Sequence, residues 1–245
     1  MEEKNQTKKL LKKMNQFVVI GLGRFGKTVA SSLASLGNEV LAIDTNAEAV
    51  KQLENKVSSA VVADATATGV LQSLGVQNFD CVIICIGANL QANILATLMC
   101  KDLGVPYVVA KAQNEQNKKI LERIGADLVV FPESYMGVKV AQMLANPSIN
   151  EIMSLTSDYK IVEMALPAEW EDKTIIDSNI RKKYDLSIIF IKRNDEVLSP
   201  NADTILRKGD VLIVSGNVNK LNQINTKSNE VLDVVSFLDN FSNLN

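Results

Sequence analysis

Six residues near the start of the chain, Gly21-Leu22-Gly23-Arg24-Phe25-Gly26, have the types and spacing to hold a phosphate. Glycine at the first position permits a tight turn. Glycine at the third lets the backbone approach a pyrophosphate, and glycine at the sixth lets the following helix pack closely. An apolar run over 17–21 precedes them. A helical pattern to about Leu36 follows, with Gly37 as its stop. A helix N-terminus at such a turn offers unpaired N–H groups and a partial positive charge to an anion. Asp44 ends the next apolar run, 39–44, roughly 20 residues further on, where a carboxylate can bond ribose hydroxyls and repel a 2′-phosphate. Capping of a helix from Ala47 is the alternative role for Asp44.

Arg24 directly follows Gly23. A guanidinium there can neutralise a terminal phosphate, which a nucleoside triphosphate has and a dinucleotide lacks; a surface pair with a neighbouring carboxylate is the other reading. Thr45 follows Asp44. Asp64-Ala65-Thr66 and Ile86-Gly87-Ala88-Asn89 follow later apolar runs, and Lys111 ends another. Ligands of parallel sheets bind outside the carboxyl ends of the strands, so all these positions can reach a nucleotide. Asp64 and Thr66 are equally suited to capping a helix.

The elements that must position these residues are legible as alternation. Apolar runs at 17–21, 39–44, 60–63, 81–86, 107–111 and 128–131 are separated by helical patterns over about 24–36, 47–54, 69–74, 90–103 and 116–124. A further helix follows Glu133 to about Ala145. Strands apolar on both faces and joined by helices specify an α/β, doubly wound parallel sheet of the Rossmann type. From Tyr159 the runs shorten, to 160–166, 187–192, 197–198, 204–206 and 211–215, with a helix over 174–184 and a turn at Lys208-Gly209-Asp210. This pattern predicts a small α+β domain. Between the two, 149–157 has helical apolar spacing at Ile149, Ile152 and Met153 and reads as a crossover element or part of a dimer contact. Met136, Met143 and Met153 suit an adaptable contact surface or packing within their own domain. The expected division is a basic tail 1–15, a nucleotide-binding domain 16–145, a linker 146–158, a second domain 159–225, and a tail 226–245 with a short amphipathic helix at 231–241.

Composition narrows the chemistry. The 245 residues are 47% hydrophobic, enough for a sizeable core, and the formal charge is −2. Nucleic-acid binders carry a basic excess, so no nucleic-acid partner is expected. The dense basic run Lys8, Lys9, Lys12 and Lys13 reads as a solvated tail, or as a contact with an anionic membrane surface or a partner. The chain has no histidine, which excludes Ser-His-Asp triads, Cys-His pairs and histidine metal sites. Cys81 and Cys85 fall on one face of a strand, roughly 13 Å apart, too far for a disulfide. With Cys100 they read as buried core thiols in a reducing cytoplasm. No apolar run reaches the length of about 20 residues that spans a bilayer. The first sixteen residues lack the apolar segment of a secretory signal.

Taken together, these segments resemble the RCK, or KTN, domain family over roughly 16–224. The resemblance is carried by the glycine turn with 39–44, Ala63-Asp-Ala-Thr66, Leu71-Gln-Ser-Leu-Gly75, Ile86-Gly-Ala-Asn89, Ile124-Gly-Ala-Asp127, Pro132-Glu133 and Met136-Gly137. In the second domain Ile175-Ile-Asp-Ser-Asn-Ile-Arg181 and Gly209-Asp210 fit the same family. Within it the chain is similar to the cytoplasmic regulatory subunits of bacterial Ktr potassium uptake systems. The resemblance implies a gating subunit and not an enzyme. It implies a cytoplasmic chain, peripheral at the inner face of the membrane, whose homodimers assemble into an octameric ring under a membrane-embedded Ktr- or Trk-type channel subunit. It implies that ATP favours the conducting state and ADP the inactive one, with Arg24 sensing the γ-phosphate. It implies that Glu133 helps bind a divalent cation, Mg2+ or Ca2+, near the nucleotide between subunits. For the second domain it implies cyclic di-AMP, with Asn179 as a hydrogen-bonding group and Ile176, Ile180 and Pro200 as apolar faces. Several relatives carry arginine where this chain has Lys173, which keeps the charge but lacks bidentate phosphate geometry. An NAD-dependent oxidoreductase, with Lys111 and Tyr107 as nearby proton donors, and an NAD(H)-responsive Trk-type regulator are the competing readings.

Overall fold

The computed structural model describes residues 14–145, 149–194 and 196–225. The basic run at 8–13 and the helix expected at 231–241 lie outside them. Strands β1 (Gln16–Ile20), β2 (Glu39–Asp44), β3 (Ser59–Val62), β4 (Cys81–Ile84), β5 (Tyr107–Lys111) and β6 (Leu128–Val130) form one sheet in the order β3-β2-β1-β4-β5-β6. Every pairing in it is parallel. Alternate residues of one strand serve opposite layers, as the pleat requires. Val18 and Ile20 join Ile43, Val82 and Ile84 in one core with Leu71 and Cys100; Val19 joins Ala42 and Ile83 in another with Ala30 and Leu53. This two-sided burial is why these strands read as continuous apolar runs.

Helices α1 (Arg24–Ser35), α2 (Ala47–Lys51), α3 (Val70–Ser73), α4 (Leu90–Asp102), α5 (Glu115–Arg123) and α6 (Pro132–Ala145) follow the strands. Three begin at asparagine caps placed just past a strand end. The Asn46 side chain accepts from the Glu48 and Ala49 amides, Asn89 from Ala92, and Asn114 from Asn117. The turn after β1 is held by sterics. Gly21 takes φ +93°, and a Cβ on Gly26 would stand 1.9 Å from the Gly21 carbonyl oxygen. The first turn of α1 therefore lies directly on the end of β1. Cys81, Cys85 and Cys100 are buried, and burial pushes each thiol up to about 12. Among the described residues no helix is long and apolar enough to cross a membrane.

The chain divides into two compact units after Tyr135, within α6. The second unit holds β7 (Ile149–Ser154), β8 (Tyr159–Ala165), β9 (Ser187–Arg193), β10 (Glu196–Leu198) and β11 (Val211–Asn217). These form an antiparallel sheet in the order β10-β9-β11-β8-β7. One face packs around Met164, Trp170, Ile180, Leu186, Ile191 and Leu212. Asp210 is buried and takes a two-pronged bond from Arg193, Nε to Oδ1 and Nη2 to Oδ2, both 2.7 Å; the Arg207 amide adds a third at 2.8 Å. The turn at 208–209 is pinned through that carboxylate.

Three sequence expectations change here. The segment expected to be helical from Ile149 is strand β7: a bulge between Glu151 and Met153 shifts its alternation, leaving apolar residues at a spacing that imitates a helix. The helix expected over 174–184 is two short ones, α7 (Ile175–Ser178) and α8 (Ile180–Tyr184), because Asn179 adopts φ +51°. Residues 204–206 form no strand; Ile205 makes a single bridge to Thr174. Met136 and Met153 are exposed, on α6 and β7 respectively. The side chain of Met143 lies outside the described set.

Glu151 of β7 gathers Lys139 of α6 at 3.2 Å, Ser154 Oγ at 2.7 Å, and Lys160 of β8. Burial pushes this carboxyl up, but the bonds from Lys160, Ser154 and Lys139 outweigh it and hold the group at about 2, against an ordinary 4.5. A depressed carboxylate contributes stability that is full above 4.5 and is lost as pH falls towards about 2. Glu151→Gln is expected to cost about 1–2 kcal/mol at neutral pH, after solvent screening, and nothing near pH 2. Urea titrations of the second unit at both pH values measure this; a deficit unchanged by acid would assign the effect to packing. In the first unit Gly26→Ala is expected to cost about 3 kcal/mol, since backbone must move to admit the methyl group. Wild-type stability in that variant would show that the turn is not held by this contact.

Candidate functional site

A cleft of about 470 Å³ opens at the carboxyl edge of the parallel sheet, where the strand order reverses between β1 and β4. It is lined by Gly21, Gly23, Asp44, Thr45, Asp64, Ala65, Thr66, Ile86, Gly87 and Asn89. Four distant stretches of sequence are thus brought together by the parallel topology alone. Nothing lies within 4 Å of where a Cβ on Gly23 would stand, so that backbone is bare towards the cleft. Arg24, Phe25, Gly26 and Lys111 are not among the lining residues. Gly26 is buried under the turn, Phe25 is half-buried, and Arg24 is exposed at the first position of α1.

Asp44 has a structural task as well as a place in the cleft. Its Oδ2 accepts the Leu22 amide at 2.5 Å and its Oδ1 the Asn46 amide at 2.8 Å. Each oxygen retains a further acceptor direction for a hydroxyl. The cap of α2 is Asn46. Asp64 Oδ1 accepts from Thr66 Oγ1 at 2.7 Å and the Thr66 amide at 2.8 Å, and these bonds hold its carboxyl below the usual range. Neither residue caps a helix, because α3 starts at Val70 with Gly69 before it. Asn93 was not legible as a site residue. It is buried on α4, and its Nδ2 donates to the Ile86 carbonyl at 2.7 Å and the Lys111 carbonyl at 2.9 Å. It ties the loop after β4 to the end of β5.

Beyond Gly87 lies a small charged group. Lys111 Nζ donates to Glu133 Oε1 at 2.5 Å and stands 5.6 Å from the centroid of the Phe25 ring. Glu133, in the first turn of α6, is held below the usual carboxylate range by the Lys111 bond, which outweighs the opposing effect of burial; its own backbone amide and the charges of Lys111 and Arg24 add to the lowering. Among the described residues no three His, Cys, Asp or Glu side chains gather as a metal site.

The second unit has its own cleft, of about 490 Å³, beside the break at Asn179. Ile176, Asn179, Ile180 and Pro200 all line it, and so do Arg181 and Lys182, which the sequence reading passed over. Lys173 does not; its ammonium donates to the Glu169 carbonyl at 2.6 Å.

Comparison with known proteins agrees with this two-part architecture. The TrkA-N domain family matches residues 17–132 and the TrkA-C domain family residues 161–227. Ktr system potassium uptake protein A of Bacillus subtilis (strain 168) is 44% identical over 205 residues, 83% of this chain and 92% of that protein. Ktr system potassium uptake protein C of the same organism is 39% identical over 209 residues, 85% of this chain and 95% of that one. The crystal structure of the GsuK RCK domain matches with a TM-score of 0.61 at 19% identity, covering 90% of this chain and 49% of that one. The GsuK channel bound to NAD matches at 0.57 and 19%, covering 90% and 40%. This chain spans half or less of those solved chains, and at such identity the likeness concerns the fold. With both domains in order and such identity across most of its length, the chain belongs to the RCK family of TrkA-N and TrkA-C proteins that includes the Ktr system potassium uptake proteins.

Proposed function

We propose that the chain is a nucleotide-responsive regulatory subunit of a potassium uptake system, acting on a membrane-embedded Ktr- or Trk-type channel subunit. The observation that carries this reading is the cleft at the sheet crossover, where Gly23 leaves bare backbone and Asp44 keeps acceptor capacity. ATP and ADP are its proposed ligands. They differ by one phosphate, and a ligand shifts a conformational equilibrium only through differential affinity for its states. Arg24, at the first residue of α1, is the proposed sensor of that phosphate. Catalysis gains no support: the chain has no histidine for proton transfer, Tyr107 does not line the cleft, and Lys111 is paired with Glu133.

The second cleft is proposed to take cyclic di-AMP. Ile176, Ile180 and Pro200 supply apolar faces, Asn179 a hydrogen-bonding amide, and Arg181 and Lys182 positive charge for the phosphates. Glu133 offers one carboxylate to a divalent cation, so the remaining ligands would come from the nucleotide and a second copy of the chain. Homodimers building an octameric ring are part of the same proposal. Val138 and Leu144 on α6 and Ile152 and Met153 on β7 are exposed apolar residues suited to contacts between copies.

Thermal unfolding with ATP, ADP, NAD, NADH and cyclic di-AMP tests the reading, since stabilisation follows affinity and reaches about 2.7 kcal/mol at a hundredfold excess over Kd. ATP and ADP are expected to stabilise the first unit, and Arg24→Ala to narrow the ratio of their affinities by about five- to tenfold. Asn179→Ala is expected to weaken cyclic di-AMP about tenfold while leaving ATP unchanged. Stabilisation by NAD alone would transfer the cleft to a dinucleotide. An unchanged ATP-to-ADP ratio in Arg24→Ala would remove the sensor.

A further inference from the structure

We propose that Glu133 is a built-in competitor for the terminal phosphate of the nucleotide, holding the Lys111 ammonium beside Gly87 of the cleft wall until the phosphate takes it over. This rests on the nucleotide reading of the cleft and concerns how that site is regulated. The pair is lopsided. The Lys111 side chain is 12% exposed and the Glu133 side chain 63%. A sequestered ammonium is costly without an anion, whereas an exposed carboxylate returns to water at little cost. Whichever anion is present therefore takes the lysine.

The lysine is placed for the exchange. Its carbonyl is fixed by the Asn93 amide, and its ammonium packs over the Phe25 ring at the start of α1. A Cβ on Gly87, which lines the cleft, would lie 3.9 Å from Nζ, so the cation stands against a residue of the cleft wall. Arg24 is near enough for its charge to act on the same carboxylate. A terminal phosphate and Glu133 repel one another, so both cannot share Lys111 unless another cation separates them. Arrival of the phosphate frees Glu133 and with it the first turn of α6. A nucleoside monophosphate, too short to reach the lysine, leaves the pair intact.

Titration calorimetry of the full chain with ATP, ADP and AMP in EDTA tests the exchange. Glu133→Gln removes the competitor and is expected to tighten ATP about three- to tenfold, with AMP changed less than about twofold. Lys111→Met is expected to weaken ATP about tenfold, and adding Glu133→Gln to it to give no further gain. Mg2+ is expected to shrink the gain in Glu133→Gln, because the ion screens carboxylate from phosphate. Unchanged ATP affinity in Glu133→Gln, equal tightening of AMP, or the same gain on the Lys111→Met background would each overturn the proposal while nucleotide binding stood. No binding of any of the three by wild type would overturn both.

Discussion

Asp44 accepts the Leu22 amide on one carboxylate oxygen and the Asn46 amide on the other, so the loops leaving β1 and β2 cannot move apart. Bonds from backbone N–H to an ionised acceptor are among the stronger ones available to a protein. Beneath them, Gly26 lies against the Gly21 carbonyl with no room for a side chain. One constraint closes the turn from above and the other from below. Between them the start of α1 has a single position, with no side chain capping it and Gly23 bare. Every feature of the cleft is measured from that fixed corner.

The remaining walls follow from the parallel sheet. Parallel strands end at the same edge, so Asp64, Ile86 and Gly87, which are far apart in sequence, meet across the crossover between β1 and β4. Asn93 then joins the loop after β4 to the end of β5 through bonds to the Ile86 and Lys111 carbonyls. The second unit reaches its cleft by other means. Its antiparallel sheet buries one face, and the irregularity lies in the helices, where Asn179 breaks one into two and turns the break towards Pro200.

How much of this could be read beforehand depended on the range of the interaction that decides each feature. Strands β2 and β5 were legible to the residue, because an apolar run ends at Asp44 and at Lys111, whose side chains leave the core. The glycine turn was legible because its sterics involve residues only five apart. β7 was not: a bulge is a property of pairing with β8, and without the partner its apolar residues fit a helix. The split at Asn179 was hidden because asparagine is tolerated in short helices and in the left-handed region alike. Asn93 and the Lys111–Glu133 pair depend on strand order. Glu133 entered the sequence reading through resemblance alone, and nothing local couples it to a lysine more than twenty residues earlier.

The partners of each polar group divide the site into a part that holds and a part that can respond. Asp44, Asp64, Asn89 and Asn93 all bond to backbone, so changing their state would mean undoing the turns and caps that shape the cleft. Such groups suit a role in binding the constant portion of a nucleotide and offer nothing that differs between states. Lys111 and Glu133 bond instead to each other through side chains, and Arg24 stands exposed beside them. Exchanging those partners costs rotamers and solvation but no backbone structure. Differential affinity must arise where an alternative partner exists, and in the first unit those groups meet at the start of α1 and the start of α6. On the proposed reading, the groups that distinguish one phosphate chain from another sit at the start of α6, the helix within which the two units divide.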